Sequence, residues 1–141
     1  MTLLIIINAL VFVSLAMLHV YWAVGERVGS AAVVPSQPDG SRLFKPGPLS
    51  TWLVAGGLMV FALITLGNLP SQYGAYPGFI RFGDWTIATI FILRAIGDFR
   101  FIGFFKKVKG TNFSKNDTRI YSPLSLCIGV ISLILANQSH L

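Results

Sequence analysis

A lone cysteine, Cys127, excludes an intramolecular disulfide, a two-thiol redox centre and a cysteine-built metal cluster. Histidine is almost as scarce. His19 and His140 are too few and too far apart for a self-evident metal site, so neither a metal nor a cofactor is expected. Charge is thin as well: 11% of residues are charged, against about 25% in an ordinary soluble domain. Phosphate-cradling glycine loops, serine nucleophile elbows, metal-binding helix motifs and internal repeats are all missing. The first apolar run lacks the basic flank and small-residue cleavage site of a removable signal, and reads as a retained transmembrane helix.

What remains is apolar surface. Hydrophobic residues make up 54% of the 141 positions, more than a soluble domain of this size can hide, so the missing solvent is lipid. Four segments approach the ~20 residues that span a hydrocarbon core. They lie at about 2–23, 52–69, 85–105 and 123–137, within one domain covering 1–141. Pro48 precedes Ser50 and Thr51 as candidate caps, and Asp84 and Ser122 stand as the next two, with Pro123 at the first helical position. Ala55-Gly56-Gly57 offers a small surface for close helix approach. The long connection 25–47 is rich in proline.

Cations fix the expected orientation. The first connection holds Arg27, Arg42 and Lys45, and the third holds Lys106, Lys107, Lys109, Lys115 and Arg119. The second holds only Arg81. The positive-inside rule then places both termini outside the cytoplasm and loop 25–47 within it. The fold class expected is all-α, an integral membrane four-helix transmembrane bundle. The net charge of +6 sits beside membrane segments, which points to anionic lipid headgroups rather than nucleic acid. Lys106, Lys107 and Lys109 are the candidate headgroup ligands.

The third segment carries Arg94, Asp98 and Arg100. Charges at membrane depth are costly and normally face a protein interior, where they mark a site. Arg94 and Asp98 are four residues apart and share a helix face. His19, Trp22, Ala23 and Glu26 form a stripe at the end of the first segment, at a comparable depth. A cytoplasm-facing cluster of His19, Tyr21, Glu26, Arg94 and Asp98 is therefore the candidate ligand site. The plainer readings are an ion pair that fixes helix register, a His19 bond to a backbone carbonyl, and interfacial anchoring by Trp22, Trp52 and Trp85.

Leu93-Arg94-Ala95-Ile96-Gly97-Asp98-Phe99-Arg100-Phe101-Ile102-Gly103-Phe104-Phe105-Lys106 and Tyr121-Ser122-Pro123-Leu124 carry a family resemblance. Leu18-His19-Val20-Tyr21-Trp22-Ala23-Val24-Gly25 and Phe44-Lys45-Pro46-Gly47-Pro48-Leu49 fit the same picture. The chain resembles the "domain of unknown function 3995" family of small bacterial integral membrane proteins. The resemblance implies a compact four-helix membrane protein and supplies no activity. Three functions are consistent with the residues. The first is binding of a small amphipathic ligand or lipid. The second is intramembrane catalysis on a lipid or isoprenoid-like substrate, with His19 or Asp98 as acid–base group. The third is transport by a homo-oligomer, since four helices alone rarely enclose a pore.

Overall fold

The computed structural model describes residues 1–25, 29, 32–69 and 78–138. Among them the chain is all-helical, with four long helices and one isolated bridge between Ser36 and Arg42. Helix α1 is Thr2–Ala23, α2 is Pro48–Leu66 and α3 is Gly78–Ile96. Helix α4 runs Asn112–Gln138 and contains a π-helical turn at Asp117–Tyr121. Helix α1 packs chiefly on α2, and α3 on α4. Three phenylalanines bind the pairs together: Phe12 lies 5.7 Å from Phe61 and 5.6 Å from Phe91, edge to face.

Helices α1, α2 and α4 are long and apolar enough to cross a membrane. Only 22% of the most apolar window of α2 is buried, so most of that surface points outward. Leu3, Leu10, Leu53 and Leu63 are all exposed, as expected of residues whose solvent is lipid. Helix α3 has the length, about 28 Å, but carries Arg81, Asp84 and Arg94. Asp84 and Arg94 turn to protein partners. Asp84 is fully buried and accepts a bond from Asn68 Nδ2 at 2.9 Å. Across the bundle, Asn8 on α1 donates to Ser132 on α4 at 3.4 Å.

The first helix has the expected limits; the other three do not. Helix α2 begins at Pro48, whose fixed φ suits the first helical position. Ser50 and Thr51 are therefore inside the helix, and their hydroxyls donate to the Gly47 carbonyl at 2.8 and 2.9 Å. Asp84 is an interior residue of α3 rather than its cap. Gly56 and Gly57 face open space. The close approaches between helices are made by Gly67 against Ile80, Gly83 against Ile64 and Gly129 against Ile92. Helix α4 starts at Asn112, where the Thr111 hydroxyl accepts the Ser114 N–H at 3.0 Å, ten residues before the expected cap. At about 40 Å it is the longest of the four, not the shortest.

The end of α3 is the largest correction. The apolar run to Phe105 predicted a continuous span, but the helix stops at Ile96. Gly97 follows at φ 90°, the left-handed conformation that closes a helix. Asp98 then accepts the N–H groups of Arg100, Phe101 and Ile102 at 2.7–2.9 Å. Gly103, at φ 88°, brings the chain back against Gly97. Phe104 donates to the otherwise unpaired Ala95 carbonyl at 2.8 Å. Asp98 thus holds a loop and makes no pair with Arg94.

A Cβ on Gly97 would collide with the Ile102 carbonyl, and one on Gly103 with the Ile96 carbonyl. Gly97→Ala and Gly103→Ala are expected to destabilise by at least about 2 kcal/mol. Gly56→Ala, in an open helical position, is expected to be neutral or to stabilise by about 0.5–1 kcal/mol. Thermal unfolding in micelles separates these outcomes. Partial desolvation pushes the Asp98 carboxyl up, but the N–H groups of Ile102, Phe101 and Arg100 outweigh it and hold it below the usual range. Its contribution is complete above the unfolded value of about 3.9 and is lost as pH falls through the lowered one. Acid should therefore lower the unfolding temperature less in Asp98→Asn, which keeps an acceptor but does not titrate.

Candidate functional site

The polar centre of the molecule is built on Asp117, the first residue of the π turn in α4. That turn lies directly before Pro123, which has no N–H and whose ring crowds the carbonyl four residues back. A wider turn relieves the crowding, and the Ser122 N–H reaches back five residues to the Asp117 carbonyl. The Ser122 hydroxyl follows the same spacing and donates to Asp117 Oδ2 at 3.1 Å.

The Asp117 carboxylate is fully buried and accepts from three further donors. Arg94 Nη2 meets Oδ1 at 2.7 Å. Lys106 Nζ and the Gly103 N–H meet Oδ2 at 3.0 and 2.8 Å. Lys106 also donates to the Gly103 carbonyl at 2.9 Å and to Thr118 Oγ1 at 2.7 Å. An ammonium has three N–H groups, so Lys106 is saturated within the fold. The cluster joins the last turn of α3, the loop 97–111 and the first turns of α4. Two cations share one carboxylate, which leaves a formal charge of +1.

Beside this cluster lies a cavity of about 700 Å³, within the usual size range of small-molecule sites. Its walls are mostly apolar. Leu15 and Trp22 come from α1, Val54 and Leu58 from α2, Phe91 from α3, and Leu124 and Ile128 from α4. The first connection supplies Val33, Val34 and Phe44, and the Tyr121 hydroxyl donates to the Ala32 carbonyl at 3.3 Å. A few polar groups interrupt these walls: His19, Ser50, Thr51, Arg94, Tyr121 and Ser125 from the helices, with Arg42 and Lys45 from the loop. No aspartate or glutamate lines the cavity among the described residues.

The expected site residues separate. His19 and Arg94 line one cavity. His19 Nδ1 donates to the Leu15 carbonyl at 2.7 Å, and its ring stands edge-on to Trp22 at 5.3 Å. Tyr21 is exposed and outside the cavity lining. Glu26 lies outside the described residues. Asp98 is in the loop, its carboxylate engaged by backbone. Lys106 is buried at the cluster, not available to headgroups, because Asp117 and Thr118 hold it inside. Lys107 and Lys109 are exposed.

Asp117 itself was not among the expected residues. Its signal is a helical stripe running upstream of Pro123: Phe113, Asp117, Tyr121, Leu124 and Ile128 recur at intervals of three or four. Reading Pro123 as a helix start hides that stripe.

Asp117→Asn leaves the Lys106 ammonium buried without a counter-charge, an expected loss of about 3–5 kcal/mol. Lys106→Met keeps the Arg94–Asp117 pair and should cost less. The double variant should recover part of the Asp117→Asn loss, a coupling that a double-mutant cycle on unfolding free energy reads directly.

A family model described as "Protein of unknown function (DUF3995)" matches residues 12–132, a stretch that contains the whole Asp117 cluster and the described cavity lining. No curated protein and no solved structure matches the chain.

Proposed function

Because the chain belongs to the DUF3995 family, whose description carries no activity, we propose a function from the geometry alone. The protein is a multi-pass protein of the cell membrane that binds a small amphipathic molecule between its four helices. The single observation behind this reading is the cavity of about 700 Å³, whose mostly apolar walls carry a few polar and basic side chains. Binding sites for small molecules have that character: hydrophobic lining with a few placed polar groups.

Orientation supports it. The end of α1, the start of α2, the end of α3 and the middle of α4 lie together around the cavity. Arg42, Lys45, Lys107, Lys109 and Lys115 belong to the same end. Under the positive-inside rule that end faces the cytoplasm, and α3 crosses with its charged residues turned to its neighbours. Exposed Lys107 and Lys109 then sit where anionic headgroups are found. His19, fixed by Leu15 and Trp22, is a wall of the cavity in this reading.

Val54 lines the cavity yet is half exposed and far in sequence from the Asp117 cluster. Val54→Trp should fill the space without unfolding the protein. Native mass spectrometry of the wild type should show a co-purifying small molecule, and the variant should lose most of it. Retention at wild-type level would sink the cavity reading. In a Cys127→Ser background, Lys45→Cys and Lys107→Cys should react with a membrane-impermeant maleimide only in opened cells. Labelling in intact cells would reverse the orientation.

A further inference from the structure

We infer that the cavity's occupant is an anionic amphiphile with one hydrocarbon chain, its oxyanion head on Arg94 and its chain along Phe91, Val54, Leu58 and Leu124. This rests on the binding function proposed above and names the ligand class.

The inference starts from the excess charge of the Asp117 cluster. Lys106 uses its three donors on Asp117, Thr118 and the Gly103 carbonyl, so it carries no unmet valence. Arg94 differs. Nη2 is bonded to Asp117, whereas Nη1 is buried and has no partner. Arg94 is also the member of the cluster that lines the cavity, with its side chain 29% exposed. The surplus positive charge and the orphan donor are thus the same group. A guanidinium presents its N–H groups as a planar fork, matched to carboxylate and phosphate oxygens.

Among the described residues, every other charged group at the cavity has the same sign. Arg42 and Lys45 line it from the first connection, and no acidic residue does so among the described residues. Helix α2 points its N-terminus there, with Pro48, Ser50 and Thr51 in the lining. Gly47 brings no capping side chain, and the Ser50 and Thr51 hydroxyls turn back to the Gly47 carbonyl. The positive end of that helix dipole therefore also favours an anion. A cationic head would meet three like charges. A neutral head would leave the surplus charge unanswered. The volume suits one chain with a compact head and falls short of a two-chain phospholipid.

A carboxylate and a phosphate monoester share this chemistry, and the experiment separates them. Full-length protein in nonionic micelles is titrated with palmitate, hexadecyl phosphate or hexadecanol, and one-to-one adducts are followed by native mass spectrometry. Palmitate or hexadecyl phosphate should bind at least tenfold more tightly than hexadecanol, and the stronger of the two identifies the head. Arg94→Gln should remove that preference. The Arg42→Gln/Lys45→Gln pair touches only exposed residues, so it folds regardless, and should weaken the anions several-fold without affecting the alcohol. Equal binding of anion and alcohol by the wild type overturns the inference and leaves the cavity reading standing. A preference unmoved in both sets of variants also overturns it. Failure of all three chains to bind overturns the cavity reading itself.

Discussion

One buried carboxylate holds one end of this bundle together. Asp117 receives Arg94 from α3, Lys106 and Gly103 from the loop, and Ser122 from its own helix. In a medium with little water, a charge without partners is prohibitive. The loop 97–111 therefore has to fold back over α4. Its two left-handed glycines make that return possible, and Asp98 ties the turn between them. Gly97 ends α3 early, and its early end brings Lys106 to within reach of Asp117. The connection and the ion cluster are one unit.

Much of the fold was legible in the chain. Helix α1 is uninterrupted by proline or charge, and its limits follow from hydropathy alone. The failures lie where apolar composition outlasts the helix. Phe99, Phe101, Ile102, Phe104 and Phe105 extend the hydropathy signal beyond Ile96, although their backbone is a loop. Gly97-Asp98 is the contrary signal, a helix-closing glycine followed by a residue that bonds its own downstream backbone. Hydropathy averages over such local chemistry. Pro123 misled in the opposite direction, since a proline inside a helix is admitted when a π turn widens the ladder before it.

The candidate site was half legible for a related reason. Depth arguments singled out Arg94 and His19, and the two line one cavity. They paired Arg94 with the nearest carboxylate in sequence, Asp98, when the partner in space is Asp117 at 2.7 Å. A lysine-rich run also looks uniform on the page. Yet Lys106 is buried while Lys107 and Lys109 are exposed, because a folded loop, unlike a solvated tail, distinguishes adjacent residues. Composition fixes how many charges a small membrane protein carries. Only the backbone decides which of them is inside.

The π turn also sets the angular phase between the two halves of α4. An α-helix advances about 100° per residue, so the extra residue in the widened turn rotates everything upstream by roughly that angle. In an unbroken α-helix Asp117 would share the azimuth of Ile128 and Leu135; the widened turn aligns it instead with Ser122, which bonds it. Shortening the chain by one residue between Asp117 and Ser122 would close the turn to ordinary α-helix and leave the two halves in phase, whereas closing it without that deletion would swing the carboxylate around the helix by about 100°. The width of that one turn, quite apart from which side chains occupy it, sets how the ionic and hydrocarbon halves of the helix meet.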